Sequence, residues 1–499
     1  MSERHLSTNI EQELVKYQKR AAKYKEKNVL LNKALRRAHQ RHKEINVSRN
    51  FWKGRFKTLQ AEKGQGLCQN ECQNERQTLK IRHEISLSEG IEAHQYSRRI
   101  VSLCISLYAL SGCSLRGVIR VLLCLQLELG LKIEDIPSKS SVQNWLQKVG
   151  YYEYTHYGAS TYEGGYALII DECMVIGQQR MVVSLGLPSV KIGEEATKLG
   201  DVRVLYIAVK SSWDYKEIGK LLQKVTEKMG KSPDYVISDG AGNLKKGIKE
   251  ANLVRLCDIG HEIGKFLEQT YSKNEEYNAF TKAAALVKYK EVMKDAAYLL
   301  PPKQRAIARF MNMSGTVSWA IKLLKAFNNL TPTEQQIFNW LKTYKNLLIE
   351  LENTFNLAHL IMKIIKNKGL SYQNIAECVD LTNQFTGKVP ARIITKILTY
   401  FEVEKEKLPN SETIWHASSD VIESLFGKYK TTAASNKLNG VTPHVLSLCV
   451  FTHFEGQKEL IYETVRDALQ QVSMSDLNQW KHNYLIDNQV VRRRNVLNI

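Results

Sequence analysis

The stretch GGYALIIDECMVIG, Gly164 to Gly177, constrains the fold more than any other, because it sets two acids into an otherwise apolar strand. Tyr166 to Ile170 and Cys173 to Val175 have the composition of a buried strand, and Asp171 and Glu172 interrupt it. A buried, unpaired carboxylate costs several kcal/mol, so a strand that keeps one aims it at a cation or a polar cleft. Gly177 to Arg180 has turn character and MVVSLGL resumes an extended pattern, which predicts a hairpin; Val202 to Val209 adds a third strand.

A second acid follows the same logic. Asp214 to Met229 is a basic amphipathic helix ending at Gly230, and Pro233 to Ser238 is a short β run that delivers Asp239 just before Gly240-Ala241-Gly242. A helix over Leu244 to Ala251 and an apolar run, Leu253 to Leu256, lead into Cys257-Asp258-Ile259-Gly260-His261. From there to about Leu408 the periodicity is helical throughout, punctuated by Pro301-Pro302, Thr331-Pro332-Thr333 and Gly369. A third acid, Glu423, then stands in a helix capped by Ser418 or Ser419, whose apolar face is Val421, Ile422, Leu425, Phe426 and Tyr429, with Lys430 two turns further on the same side.

Upstream, Ile10 to Leu59 keeps a 4-3 heptad with Leu14, Ala21, Asn28, Leu35, His42, Arg49 and Phe56 at a. Between Lys16 and Lys57 fifteen Lys or Arg face Glu26 and Glu44, so this segment is expected to be a basic coiled coil that dimerises and lies along phosphates, with a solvated single helix packing back on the body as the alternative. The polar stretch after it reads as a linker. Helices are expected over His94 to Leu110 and from Ser114 to about Leu129, followed by a Ser-capped helix closed by Gly150. The last of these has the pattern of a helix-turn-helix recognition helix, with Ser140, Gln143, Asn144 and Lys148 on its outer face; a plain three-helix packing unit shows the same apolar spacing.

The charge of the whole chain agrees with a polyanionic partner: 499 residues carry a formal +20 with a pI near 9.3. The most apolar region, Ile100 to Leu131, is broken by Ser111-Gly112, Arg116, Arg120 and Glu128, so no membrane span is expected. No secretory signal is read, and nine scattered cysteines suggest a reduced, cytoplasmic protein, nucleoid-associated in a bacterium or nuclear in a eukaryote. Cys68 and Cys72 with His83 and His94 fit no standard zinc spacing.

Asp171, Asp239 and Glu423 in a β-β-β-α-β-α order resemble the catalytic set of the DDE transposases, which have a ribonuclease H-like core. The resemblance covers most of the chain after about residue 160. Asp239 follows Asp171 by 68 residues, room for two strands and a helix, whereas 184 more precede Glu423. Transposases of the hAT and Mutator-like type place an all-helical insertion in that interval, announced by Cys or Asp, two residues, then His; Asp258-Ile259-Gly260-His261 matches this. Lys430 matches a basic residue that many DDE enzymes use to hold a terminal phosphate, while Ser419 stands where some bacterial members have Arg.

The resemblance implies an α/β ribonuclease H-like core in two parts, 160–262 and 409–499, around an all-α insertion, 263–408, preceded by a coiled coil (1–62), a linker (63–92) and a helix-turn-helix domain (93–155). It implies two Mg²⁺ ions, replaceable by Mn²⁺, on the three acids, with His261 near the scissile phosphate and Glu172, Asp258 and Asp420 as fallback ligands. Trp319 and Trp340, in the insertion, could stack on an unpaired base or pack as core. The expected partners are DNA, as transposon ends and target, and a second copy in a homodimer or higher oligomer through the coiled coil. The expected reaction is cleavage followed by attack of a 3′-OH on target DNA. A ribonuclease H-like nuclease or resolvase without strand transfer, and a non-catalytic DNA-binding descendant of a transposase, remain the alternatives.

Overall fold

The computed structural model describes residues 94–129, 135–162, 164–176, 179–302, 313–432, 440–455 and 461–497. The heptad segment, the linker, and residues Cys68, Cys72 and His83 lie outside them. Everything described belongs to one compact unit spanning Leu87–Ile499.

At its centre is a five-stranded mixed sheet in the order β3-β2-β1-β4-β5. Its strands are β1 (Tyr166–Ile176), β2 (Gln179–Pro188), β3 (Arg203–Lys210), β4 (Tyr235–Ser238) and β5 (Arg255–Cys257). β1 pairs antiparallel with β2 and parallel with β4, β3 is antiparallel to β2, and β5 is parallel to β4, so β2 alone runs against the rest. The register of β1 shifts between Asp171 and Met174, immediately after the first acid. A bulge at this place bends a strand and re-aims its side chains.

Both faces of the sheet are covered, which explains why β1 reads as a near-continuous apolar run. Tyr166, Leu168 and Ile170 point to one face with Val236 of β4, under α4 (Tyr215–Met229) and α5 (Gly242–Glu250). Ala167 and Ile169 point to the other with Tyr235 and Ile237 of β4 and Leu256 of β5. Each aliphatic side chain sunk in these layers contributes about 1.5–3 kcal/mol of transfer free energy. α4 starts where the sequence places it: Asp214 caps it, accepting from the Glu217 backbone at 2.8 Å, and Gly230 ends it in the left-handed conformation at φ 66°.

Ahead of the sheet come α1 (Arg98–Ala109), α2 (Leu115–Leu129) and α3 (Lys139–His156). α1 begins four residues later than the apolar pattern suggests, because the Ser97 hydroxyl caps Ile100 and fixes the start there. α3 does not close at Gly150 but runs on to His156. Gly150 serves proximity instead: a Cβ there would come within 2.2 Å of the Leu446 carbonyl oxygen.

Between β5 and the Glu423 helix every described element is helical: α6 (Ile259–Tyr271), α7 (Glu275–Glu291), α8 (Met313–Lys325), α9 (Pro332–Phe338), α10 (Lys345–Lys368), α11 (Tyr372–Gln384) and α12 (Ala391–Lys405), with short 3-10 turns. The chain returns to the sheet at Trp415, which bridges to Leu370 and Val190 and stacks on Tyr235 with centroids 4.1 Å apart. The Tyr235 hydroxyl donates to the Ser189 carbonyl and accepts from the His416 backbone, each at 2.8 Å. α13 (Asp420–Thr432) follows, then α14 (Ser447–Phe454), α15 (Ile461–Gln471), α16 (Met474–Tyr484) and α17 (Gln489–Leu497). Among the described residues no helix is long and apolar enough to cross a membrane.

Candidate functional site

Asp171 and Asp239 occupy equivalent places on adjacent parallel strands. The last register pair of β1 and β4 is Ile170 with Ser238, so each acid is the next residue along its strand. Alternation sets Asp171 with Ala167 and Ile169, and Asp239 with Tyr235 and Ile237, on the same face of the sheet. That face is the one against which α13 packs, through Val421, Ile422 and Leu425. Both acids are partly accessible, and Asp239 Oδ1 accepts from the Ala241 backbone at 2.9 Å, which fixes the carboxylate at the strand end. The side chain of Glu172 is not among those described.

Glu423 lies on the outer side of α13, and its Oε1 is 3.4 Å from His261 Nε2 on α6. The pair perturbs both partners. The hydrogen bond to Glu423, together with the charges of Asp258 and Asp239, outweighs burial and pushes the His261 imidazole up to about 9. The Glu423 carboxyl is held below its ordinary range by the bond to His261 first, and then, against some burial, by the charges of His261, Lys366 and Lys430. The influence of Asp239 on His261 and of Lys430 on Glu423 places these four groups in one electrostatic neighbourhood.

Asp258 is what brings α6 and α13 together. It is 1 % exposed, and Oδ1 caps α6 by accepting from the His261 backbone at 2.7 Å. Oδ2 accepts from Ser419 twice, from the backbone at 2.5 Å and from the hydroxyl at 3.0 Å. The Ile259 backbone donates to the Ala417 carbonyl alongside, at 3.1 Å. With both oxygens engaged, Asp258 is a joint between two helices and not a spare ligand; His261 supplies the donor to Oδ1 and Ser419 the donors to Oδ2. Asp420 is also committed, in an ion pair with Lys366 of α10. Lys366 is the group that sequence reasoning missed: it sits on α10 in the helical segment between β5 and α13, and no local pattern marks it.

The other expected contacts disperse. The Trp319 indole donates to the Leu299 carbonyl at 2.7 Å and packs edge-on to Phe338, while Trp340 packs among Phe280 and Tyr344. Both are partly buried against the core of this helical segment, the second of the two roles their sequence context allowed. α3 is enclosed as well: α1, α2, α14, α15 and α16 pack around it, with Trp145, Leu146 and Val149 buried. Of its proposed contact residues, Ser140 and Asn144 are exposed, whereas Gln143 and Lys148 are half-buried. Desolvation lowers the Lys148 amine below its ordinary range against the opposing charge of Asp476. Among these proposed contact residues the exposed ones lie in the first turns of α3.

A set of three carboxylates suits Mg²⁺, a hard ion that takes oxygen ligands. Among the described residues, however, no three or more His, Cys, Asp or Glu side chains stand together as a metal-holding group. Glu423 is turned to His261. A cavity of about 390 Å³, lined by Lys191, Thr197 and His416 among others, lies in the β2–β3 connection and includes none of the three acids. No protein-family model matches the chain, and no curated protein does.

Proposed function

We propose that this protein is a DDE transposase with a ribonuclease H-like core, which cuts DNA at transposon ends and joins the 3′-OH to target DNA. The observation that carries the reading is the common placement of Asp171 and Asp239 on neighbouring parallel strands, under the helix that bears Glu423. The strand order, with β2 alone reversed and helices on both faces, supports the core assignment. The uninterrupted helical segment between β5 and α13 supports the insertion.

In this reading Asp171, Asp239 and Glu423 would hold two Mg²⁺ ions, or Mn²⁺ in their place, which supply an activated nucleophilic oxygen and a stabilised leaving oxygen. The chain's own groups do the positioning. His261 holds the Glu423 carboxylate in place until substrate arrives, and Asp258 fixes the distance between their helices. Lys366 and Lys430 put positive charge beside Glu423, where a phosphate of the DNA end would lie. The exposed start of α3 contacts the duplex, and residues 10–59 pair two copies of the chain.

A second reading has one observation in its favour: since no metal-holding group is assembled among the described residues, the core could bind DNA without cutting it. Incubating the full chain with labelled DNA bearing free 3′-OH ends, supercoiled plasmid and Mg²⁺ separates the two. Joined product supports the transposase. Plasmid nicking without joined product points to a nuclease or resolvase, and retention of DNA with no cleavage favours the non-catalytic reading.

A further inference from the structure

α2 presents a surface that the other described residues leave open. Val118 and Leu122 are fully buried, and Leu115, Ile119 and Leu125 pack on the core, so one side of the helix faces α1 and α3. On the other side Arg116, Arg120, Leu123, Cys124, Leu127 and Glu128 are all exposed, with Leu123 39 % and Leu127 77 % accessible. Cys124 stands four residues after Arg120, and Leu127 and Glu128 stand three and four residues after Cys124, which makes them a single stripe. Leaving a leucine in water forgoes about 1.5–3 kcal/mol, so an apolar stripe of this kind is normally covered.

The order of charges along the stripe indicates by what. Arg120 and Glu128 stand four residues either side of Cys124. A two-fold axis beside Cys124 runs a second copy of α2 antiparallel to the first, and each Arg120 then meets the partner's Glu128 while its methylene stem crosses the partner's Leu127. A parallel copy would set Arg against Arg and Glu against Glu. DNA would favour the arginines but be repelled by Glu128 and gain nothing from the leucines. We infer that α2 is a self-complementary contact through which two copies of this chain associate, antiparallel, with Cys124 facing Cys124 across the axis. This contact is separate from the heptad segment and does not depend on the reaction the protein performs.

The test uses the full chain and cysteine chemistry. Mild oxidation with copper phenanthroline should give a disulfide dimer on a non-reducing gel, and Cys124→Ser should abolish it. Arg120→Glu and Glu128→Arg should each slow cross-linking about tenfold by opposing like charges, and the double exchange should restore most of the parental rate. All six side chains are exposed, so far-UV circular dichroism of each variant should match the parent and exclude misfolding as the cause. Absence of a Cys124-dependent dimer, or a double exchange as slow as the singles, overturns the proposal. Protection of Cys124 from a maleimide at every protein concentration, without cross-linking, also overturns it, because another segment of the same chain would then occupy the stripe.

Discussion

Asp258 and Ser419 are joined by two hydrogen bonds to one carboxylate oxygen, 2.5 Å from the Ser419 backbone and 3.0 Å from its hydroxyl. Asp258 is buried, and burial raises its carboxyl above the ordinary range even though the His261 and Ser419 amides pull the other way. Bonds to a charged acceptor are worth about 1.5–3 kcal/mol each, and a lost helix cap about 1 kcal/mol. Asp258→Ala should therefore lower the unfolding free energy by about 3 kcal/mol or more, and Ser419→Ala by about 1.5 kcal/mol, in urea titrations. Adding the two single effects should overestimate the loss in the double variant, since the groups share a bond.

Two glycines should respond oppositely to alanine. At Gly150 the added methyl meets the Leu446 backbone, which cannot turn aside, so Gly150→Ala should destabilise by about 1–3 kcal/mol. At Gly427, inside α13, a Cβ meets nothing within 4 Å, and Gly427→Ala should stabilise by about 0.5–1 kcal/mol. Thermal unfolding of the two variants beside the parent decides both signs.

His416 sets an acid limit on stability. It is 8 % exposed, its Nδ1 lies 3.0 Å from the Thr197 hydroxyl, and burial, aided by the charge of Lys191, lowers it from 6.5 to about 4. Burial also lowers His444, beside the Tyr108 hydroxyl, to about 4. A depressed histidine leaves the unfolded chain as the better proton binder below pH 6.5. Stability is thus fully present above that pH and declines as pH falls toward 4, by about 3 kcal/mol for His416 alone. Urea midpoints measured between pH 7.5 and pH 4.5 should fall with acid in the parent and fall less in His416→Gln.

At α3 the exposed first turn and the half-buried middle predict different salt responses. Lys139→Ala should weaken DNA binding and flatten its salt dependence by about one phosphate contact, whereas Lys148→Ala, with its amine facing Asp476, should leave the slope nearly unchanged. Filter binding at two salt concentrations reads both.

The sheet was legible because its signals are local: apolar runs bounded by turn residues marked β1 to β4, and Asp214 and Gly230 marked the ends of α4. β5 appeared only as a short apolar run, since three residues carry too little pattern to be typed. The errors came from tertiary context. Gly150 looks like a helix end in sequence and is a close-packing position in space, and the choice between stacking and core packing for Trp319 and Trp340 needed their neighbours. The Asp258 motif showed where to look, but the Ser419 contact joins residues 161 positions apart and left no trace in either segment. Lys366 escaped for the same reason.

The central claim is that Asp171, Asp239 and Glu423 act as one set on DNA, and the most direct measurement is Mg²⁺-dependent strand cleavage by Asp171→Asn, Asp239→Asn and Glu423→Gln beside the parent, with DNA affinity measured on the same samples. Each substitution keeps its side chain's shape and removes one negative charge. The account predicts that every variant loses cleavage by about a hundredfold or more while binding DNA at least as tightly as the parent, because phosphate repulsion falls. Cleavage at the parental rate by any one of the three would contradict it.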